Sequence, residues 1–280
     1  MTRSGFAEGR ATAGYFDSMA PDYDREFTRS PLGQELRAIV RERVAANFKS
    51  GDHVLELNCG TGEDAVWMAK RGIRILATDV SEEMLNSTRR KAAAGGVAPM
   101  IETRRLDISL PGSGVTGLKF NGVLSNFGGL NCAKDLTPLV SMLAGSVAPG
   151  GTLVLVPMGR HCAWEMAWHC LHLHPSAAFR RHGPGGAEAR RGPYVIRVWY
   201  PSAGSLRRTL APWFEEKRVT GLGTFLPPTY LERVVLRRPG LYRTLVRLER
   251  RLSAKFPFNL VGDHMICEYQ RTGEASRHEH

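Results

Sequence analysis

The 280 residues carry a formal net charge of +11, 42% hydrophobic residues and five cysteines. Such a chain can bury the core of one large domain, or of one domain with sizeable insertions. No stretch nears the roughly 20 apolar residues that span a bilayer. Residues 1–33 hold no apolar run of a secretory signal, and the scattered cysteines without a CxxC pair argue against a disulfide framework and for a reducing, cytoplasmic setting.

The charge is uneven. Residues 1–158 hold 18 Lys and Arg against 17 Asp and Glu, whereas residues 159–280 hold 20 against 10, so net charges of +1 and +10 divide the chain. A basic second half suits nucleic acid, an anionic membrane surface or an acidic substrate, or is simply a solvated face.

Residues 1–34 read as an irregular lead, with a helix break expected where Pro21 follows the N-cap candidate Ser18. Leu36, Ile39, Val40, Val44 and Phe48 fall at helical intervals and predict a helix over 36–48. A strand over 53–57, a glycine loop over 58–62 and a helix over 63–71 follow. A strand over 73–78 then leads to a helix over 82–94, capped by Ser81. Further strands are expected over 101–106, 122–126 and 152–157, with a helix over 136–147 before the last of them. Strands alternating with helices predict a parallel sheet with right-handed crossovers. Beyond residue 158 the pattern loosens. Helical character is expected over 161–182 and 205–214, and a basic helical region over 229–255 breaks near Pro239. Strands are expected over 194–199, 216–225 and 264–269, a flexible loop over 183–192, and a disordered tail over 272–280. The chain thus divides into a lead (1–34), a core (35–158), the rest of the sheet with insertions (159–271) and the tail (272–280).

The glycine loop carries the chemistry. A strand ending in Val54-Leu55-Glu56-Leu57 feeds Asn58-Cys59-Gly60-Thr61-Gly62 and then a helix. Open α/β sheets bind ligands at such places. Gly60 to Ala65 fits the dinucleotide pattern GxGxxA, and Asp79 stands where a ribose-binding acid would, so a nicotinamide-dependent reductase is one reading. Glu56, Glu63 and Asp64 beside the loop would repel a pyrophosphate. A cationic cofactor without phosphate suits them better, and Asp107, closing the third strand, can accept a hydrogen bond from an adenine amino group.

Four segments in order, HVLELNCGTGEDAVWMAKRG (53–72), ILATDVSEEML (75–85), RRLDISLP (104–111) and FNGVLSNFGGLN (120–131), resemble the class I S-adenosylmethionine-dependent methyltransferase superfamily, small-molecule type. The resemblance covers about residues 15–157 and, loosely, the last strand. It implies a doubly wound, seven-stranded, mainly parallel Rossmann-like sheet, with helical insertions in the C-terminal half, and S-adenosylmethionine as cofactor. It further implies that Glu56, Asn58, Gly60 and Gly62 line the methionine end. Asp79 would bind the ribose, Val80 and Met84 would lie beside the adenine, and Asp107 and Ile108 at its edge. Asn126 and Phe127 would lie near the transferable methyl, and Tyr23 would approach the cofactor carboxylate. Asn58 departs from the family's usual first glycine, but asparagine tolerates unusual backbone angles.

The acceptor is less legible. Ser125-Asn126-Phe127-Gly128-Gly129 is not the Asn/Asp-Pro-Pro-Tyr/Phe signature of nucleic-acid amino methylation, and no Pro-Cys dipeptide lies near it. A small, aromatic or lipophilic acceptor is therefore expected, with oxygen the first choice of atom. An RNA methyltransferase and a non-catalytic cofactor-binding or scaffold protein are the alternatives. Histidine suits proton removal near neutrality. His161, shortly after the fifth strand, is the first candidate and His264 the second, ahead of His169, His172 and His174. His161, Glu165 and His169 share a helical face, but Cys162 and Cys170 complete no site, and no metal is expected. Trp164, Trp168, Phe179, Trp199, Trp213, Phe225, Tyr230 and Phe256 would wall an acceptor pocket. The basic stretch between Tyr230 and Lys255 suits peripheral contact with a membrane, or RNA.

Overall fold

The structure is a computed structural model that describes residues 3–273 apart from Ser113. The helices are α1 (Arg3–Tyr23), α2 (Pro31–Asn47), α3 (Glu63–Ala69), α4 (Glu82–Ala94), α5 (Thr137–Ser146), α6 (Ala163–Leu171), α7 (Pro175–Ala178), α8 (Ala203–Leu210), α9 (Glu232–Leu236) and α10 (Pro239–Leu252). The strands are β1 (His53–Leu57), β2 (Arg74–Asp79), β3 (Ile101–Arg105), β4 (Phe120–Ser125), β5 (Val147–Leu155), β6 (Ala187–Arg191), β7 (Tyr194–Val198), β8 (Phe214–Leu222) and β9 (His264–Arg271).

Seven strands form one sheet in the order β3-β2-β1-β4-β5-β9-β8. The first five run parallel, and β9 runs antiparallel to both β5 and β8. The order reverses between β1 and β4, which opens a crevice at their C-terminal ends.

Helices cover both faces, so the inner strands are apolar almost throughout. Successive residues of one strand point to opposite faces and enter different cores. Leu55, Leu76, Val123 and Leu153 pack with Leu139 and Leu143 of α5 and Leu206 and Leu210 of α8. Their neighbours Val54, Ile75, Leu124 and Val154 pack with Leu36 and Val40 of α2 and Ala65 and Met68 of α3.

The structure revises three expectations. The lead is not irregular: α1 runs through Pro21 and passes into a π-helical turn, Asp24–Thr28. Proline removes one backbone donor and crowds the preceding turn. Here α1 packs against α4 and β7, and that tertiary contact outweighs the local cost. Ser18 lies inside α1, its hydroxyl donating to Tyr15 O at 2.7 Å rather than capping a helix. The loop expected over 183–192 contains β6, which pairs with β7 from Ala187↔Val198 to Arg191↔Tyr194. Alternating Ala and charged residues have little intrinsic strand preference, and cross-strand packing supplies it. The expected tail lies outside the described residues from 274 onward, whereas Thr272 is tied by its hydroxyl to Trp213 O at 3.0 Å.

Candidate functional site

The loop leaving β1 uses left-handed backbone at Asn58 (φ 54°), Gly60 (φ 54°) and Gly62 (φ 77°). Asn58 thus takes the conformation that the sequence reading allowed it. The two glycines differ in purpose. A Cβ on Gly60 would meet nothing within 4 Å, so its backbone is open to a ligand. A Cβ on Gly62 would strike Thr88 at 2.6 Å, so that glycine lets α3 approach α4.

Asp79, at the end of β2, holds this loop. Its Oδ2 accepts the Gly60 N–H at 3.0 Å and its Oδ1 accepts the Ser81 N–H at 2.9 Å. Ser81 in turn caps α4 through Met84 N at 3.1 Å, as the sequence implies. Burial raises the Asp79 carboxyl to about 6, against the opposing pull of the Ser81 and Gly60 amides.

A cavity of about 1130 Å³ opens above the loop. Its floor and walls include Asn58, Gly60, Asp79, Val80, Met84, Asp107, Ile108, Asn126 and Phe127, and Tyr23 reaches it from above. The structure thus gathers nearly the whole set named from sequence. Gly62 and Glu56 are not wall residues. Glu56 is buried at the end of β1, and burial and then the nearby Asp64 carboxylate push its carboxyl well above the usual range. Glu56 Oε2 and Asn58 Oδ1 are buried without a hydrogen-bond partner among the described residues.

Asn126 and Phe127 rest on a buried polar layer. The Asn126 amide donates to Asp64 Oδ2 at 2.9 Å, and Arg41 Nε meets Asp64 Oδ1 at 2.9 Å. Arg37 also bonds Asp64, and its guanidinium lies 4.8 Å from the centre of the Phe127 ring. Burial opposes the charge on Asp64, but Arg37 and Arg41, with the Asn126 bond, hold its carboxyl below the usual range. Phe127 has φ 47°, a strained value for a bulky residue, and its N–H donates to Asn126 Oδ1 at 2.9 Å. Asp107 closes a turn by accepting from Ser109 N at 2.9 Å and Ser109 Oγ at 2.6 Å, while also lining the cavity.

The roof comes from α1 and β6, where the sequence predicts an irregular lead and a loop, and from β7, where it predicts a strand. Tyr15, Phe16 and Met19 of α1 face the cavity, as do Ala187 and Ala189 of β6 and Ile196 and Val198 of β7. Asp17 Oδ1 accepts the Ser81 hydroxyl at 2.5 Å. Asp24 accepts Thr61 Oγ1 at 2.7 Å and pairs with Lys91 at 2.7 Å. Arg191 of β6 donates to Ser18 O at 3.3 Å. The alternation of Ala187 with Ala189, and of Ile196 with Val198, was the available signal. Of the aromatic residues expected to wall an acceptor pocket, Trp199 alone does so; Tyr200 joins it. Trp213 packs against the first core and Trp164 donates to Phe225 O at 2.9 Å.

Neither candidate histidine lines the cavity. His161 Nδ1 lies 3.0 Å from His182 Nε2 on the surface. His264 is buried behind Phe127, with ring centres 5.7 Å apart, and its Nδ1 lies 3.1 Å from Asp263 Oδ2. His161, Glu165 and His169 do not converge, because Glu165 is buried against Arg180 and Arg181. Among the described residues, Cys162, Glu165 and Asp263 have the spacing of metal ligands. Arg181 occupies that place, 2.5 Å from Glu165 and 2.6 Å from Asp263.

A profile described as a methyltransferase domain matches residues 54–151. The demethylmenaquinone methyltransferase of Thermobifida fusca is 30% identical over 167 residues, covering 56% of this chain and 68% of that protein. The class I S-adenosylmethionine-dependent methyltransferases include this chain. The demethylmenaquinone methyltransferase of Symbiobacterium thermophilum is 29% identical over 147 residues, covering 50% of this chain and 55% of that relative. The chain therefore spans little more than half the length of several curated relatives that it matches. The structure of the CcbJ methyltransferase from Streptomyces caelestis shares the fold with a TM-score of 0.60 at 16% identity, over 94% of this chain and 99% of that one.

The residues present suit the cofactor of this methyltransferase family better than a dinucleotide. The amides of Cys59, Gly60 and Gly62 are committed to Thr78 O, Asp79 Oδ2 and Cys59 O, so they do not cradle a pyrophosphate. The unpartnered Glu56 Oε2 and the acids Asp79 and Asp107 favour a cation and hydroxyl groups instead.

Proposed function

We propose that the chain transfers a methyl group from S-adenosylmethionine to a small, lipophilic, ring-containing acceptor. The observation that carries this reading is one cavity lined both by the acids Asp79 and Asp107 with the glycine loop and by the apolar side chains of Tyr15, Phe16, Ile196, Val198 and Trp199. At about 1130 Å³ it exceeds the space of one ordinary small ligand, roughly 300–1000 Å³, which suits a cofactor and an acceptor side by side. The relatives named demethylmenaquinone methyltransferase support a lipophilic ring as acceptor.

When bound, the cofactor supplies a methyl group on a sulfonium sulfur and leaves as a neutral thioether. The chain's part is alignment. Asp79 would accept the ribose hydroxyls, and Asn58 and the unpartnered Glu56 Oε2 would favour the methionine ammonium. Phe127, held in its strained turn by Asn126 and covered by Arg37, would support the methyl end. The α1 roof and the β6–β7 hairpin exclude water. His161 and His264 lie outside the cavity, so the proton of a phenol or hydroquinone acceptor would pass to solvent as the acceptor enters, leaving its oxyanion to take the methyl, and oxygen is the first atom to test.

Calorimetry with S-adenosylmethionine, S-adenosylhomocysteine and NAD tests the cofactor. Binding of the first two and not the third is expected, and absence of sulfonium-cofactor binding overturns the reading. Transfer of labelled methyl to a panel of hydroquinones and phenols, with transfer RNA as the competing acceptor, tests the acceptor class.

A further inference from the structure

The basic stretch after Pro228 is not absorbed by the cavity. Arg233, Arg237, Arg238, Arg243, Arg247 and Arg251 are all exposed, and none forms an ion pair with a described residue. The acids of the same stretch do not balance them. Glu249 is fully buried, accepting the backbone N–H groups of Gly223, Thr224, Phe225 and Leu226 at 2.7–3.3 Å, and Glu232 is half-buried. Arg250, in contrast, is spent on Glu35 and Glu42 of α2.

The apolar side of α10 is turned inward: Tyr242, Leu245 and Val246 pack against the second core. Arg243, Arg247 and Arg251, four residues apart, therefore form the outward stripe. Leu241 of α10 is 40% exposed, but the most protruding apolar groups lie beside this helix. Leu171 is 80% exposed, Leu173 86% and Phe256 80%, with Phe179, Tyr230 and Val234 also exposed. Leu173 is held outward by a left-handed backbone, φ 59°, which costs energy and hides no apolar surface. These side chains belong to connected elements. Trp164 of α6 donates to Phe225 O, the Phe225 ring centre lies 5.1 Å from that of Phe258, and Arg180, next to Phe179, pairs with Glu165 of α6. Arg180 also lines the cavity, so this face adjoins it.

We propose that the arginine stripe of α9 and α10, with the protruding Leu171, Leu173 and Phe256, docks on an anionic lipid bilayer. The six unpaired guanidinium groups supply charge complementarity to acidic headgroups, and each contributes attraction near such a surface. Leucines that protrude this far have no use against a nucleic-acid backbone, whereas they enter the acyl boundary of a bilayer. The binding is a property of the outer surface and stands whether or not the methyl-transfer reading holds.

The test is flotation of the full chain with phosphatidylcholine vesicles containing about a third phosphatidylglycerol, at low salt, against vesicles of phosphatidylcholine alone. Flotation with the anionic vesicles and not the neutral ones is expected. Arg243→Glu/Arg247→Glu/Arg251→Glu should lower the partition coefficient on the order of 100-fold. Leu171→Ser/Leu173→Ser/Phe256→Ser should lower it at least about tenfold, given the apolar area withdrawn from water. Unchanged melting temperature and S-adenosylhomocysteine affinity show that both variants are folded. The proposal fails if wild type does not float with anionic vesicles. It also fails if the apolar variant floats as well as wild type while the arginine variant loses binding to polyuridylate, an outcome that makes the stripe a nucleic-acid surface.

Discussion

Replacing Asp79 with asparagine separates its role in binding from its role in the fold. In the cofactor-free protein the carboxyl sits at about 6, against 3.8 for an ordinary aspartate. The folded state therefore holds a proton between those values that the unfolded chain has released, and stability falls as pH rises from about 4 through about 6. The difference corresponds to about 3 kcal/mol lost at neutral pH. Asparagine removes that ionisation cost. Its amide nitrogen, however, faces either the Gly60 or the Ser81 N–H and leaves one donor unpaired, at about 1–3 kcal/mol. The two effects nearly cancel, so Asp79→Asn should melt close to wild type at pH 7. Binding should not be spared. A carboxylate receiving ribose hydroxyls contributes about 1.5–3 kcal/mol per charge-assisted bond, so the variant should bind S-adenosylhomocysteine at least about tenfold more weakly. The ligand selects the ionised carboxyl, which is about nine-tenths populated at pH 7 and about one-tenth at pH 5. Wild-type affinity should accordingly weaken about tenfold between these values, and Asp79→Asn should lose the step near pH 6. Calorimetry at pH 5, 6, 7 and 8 reads both. An unchanged affinity in the variant, or a step near pH 6 that survives it, refutes the assignment of Asp79 to the ribose.

Asp64→Ala should destabilise the fold by about 3–5 kcal/mol in urea unfolding, because it leaves the buried Arg37 guanidinium without its anion. A loss below about 1 kcal/mol would show that Arg37 finds another partner. His161→Ala should leave methyl transfer within about threefold of wild type, since the imidazole does not reach the cavity. A fall of about a hundredfold or more, the usual scale of general-base removal, would return it to the catalytic machinery.

The strands, the glycine loop and most of the polar site were legible in the sequence because each rests on local physics. Continuous apolar runs mark strands covered on both faces. Asn58, Gly60 and Gly62 mark backbone at positive φ. Asp79 ends the second strand, so its place is fixed within a residue by the strand itself. Gly62 shows the limit of this reasoning: the chain marks it as a special glycine, but its neighbour Thr88 lies on another helix, and its role is packing rather than binding. The roof lay beyond sequence reasoning for the same cause. Pro21 and the alternating charges of residues 187–191 speak locally against helix and strand, and both elements form because α1 and the β6–β7 hairpin pack on each other over the cavity. His161 looked well placed by its distance along the chain from the fifth strand, yet the turn after β5 carries it to the surface beside His182. The sequence by itself determined which polar residues line the cavity, because those residues sit on strand ends. Only the tertiary structure decided which surfaces cover them, because those surfaces come from segments joined by contacts distant in the chain.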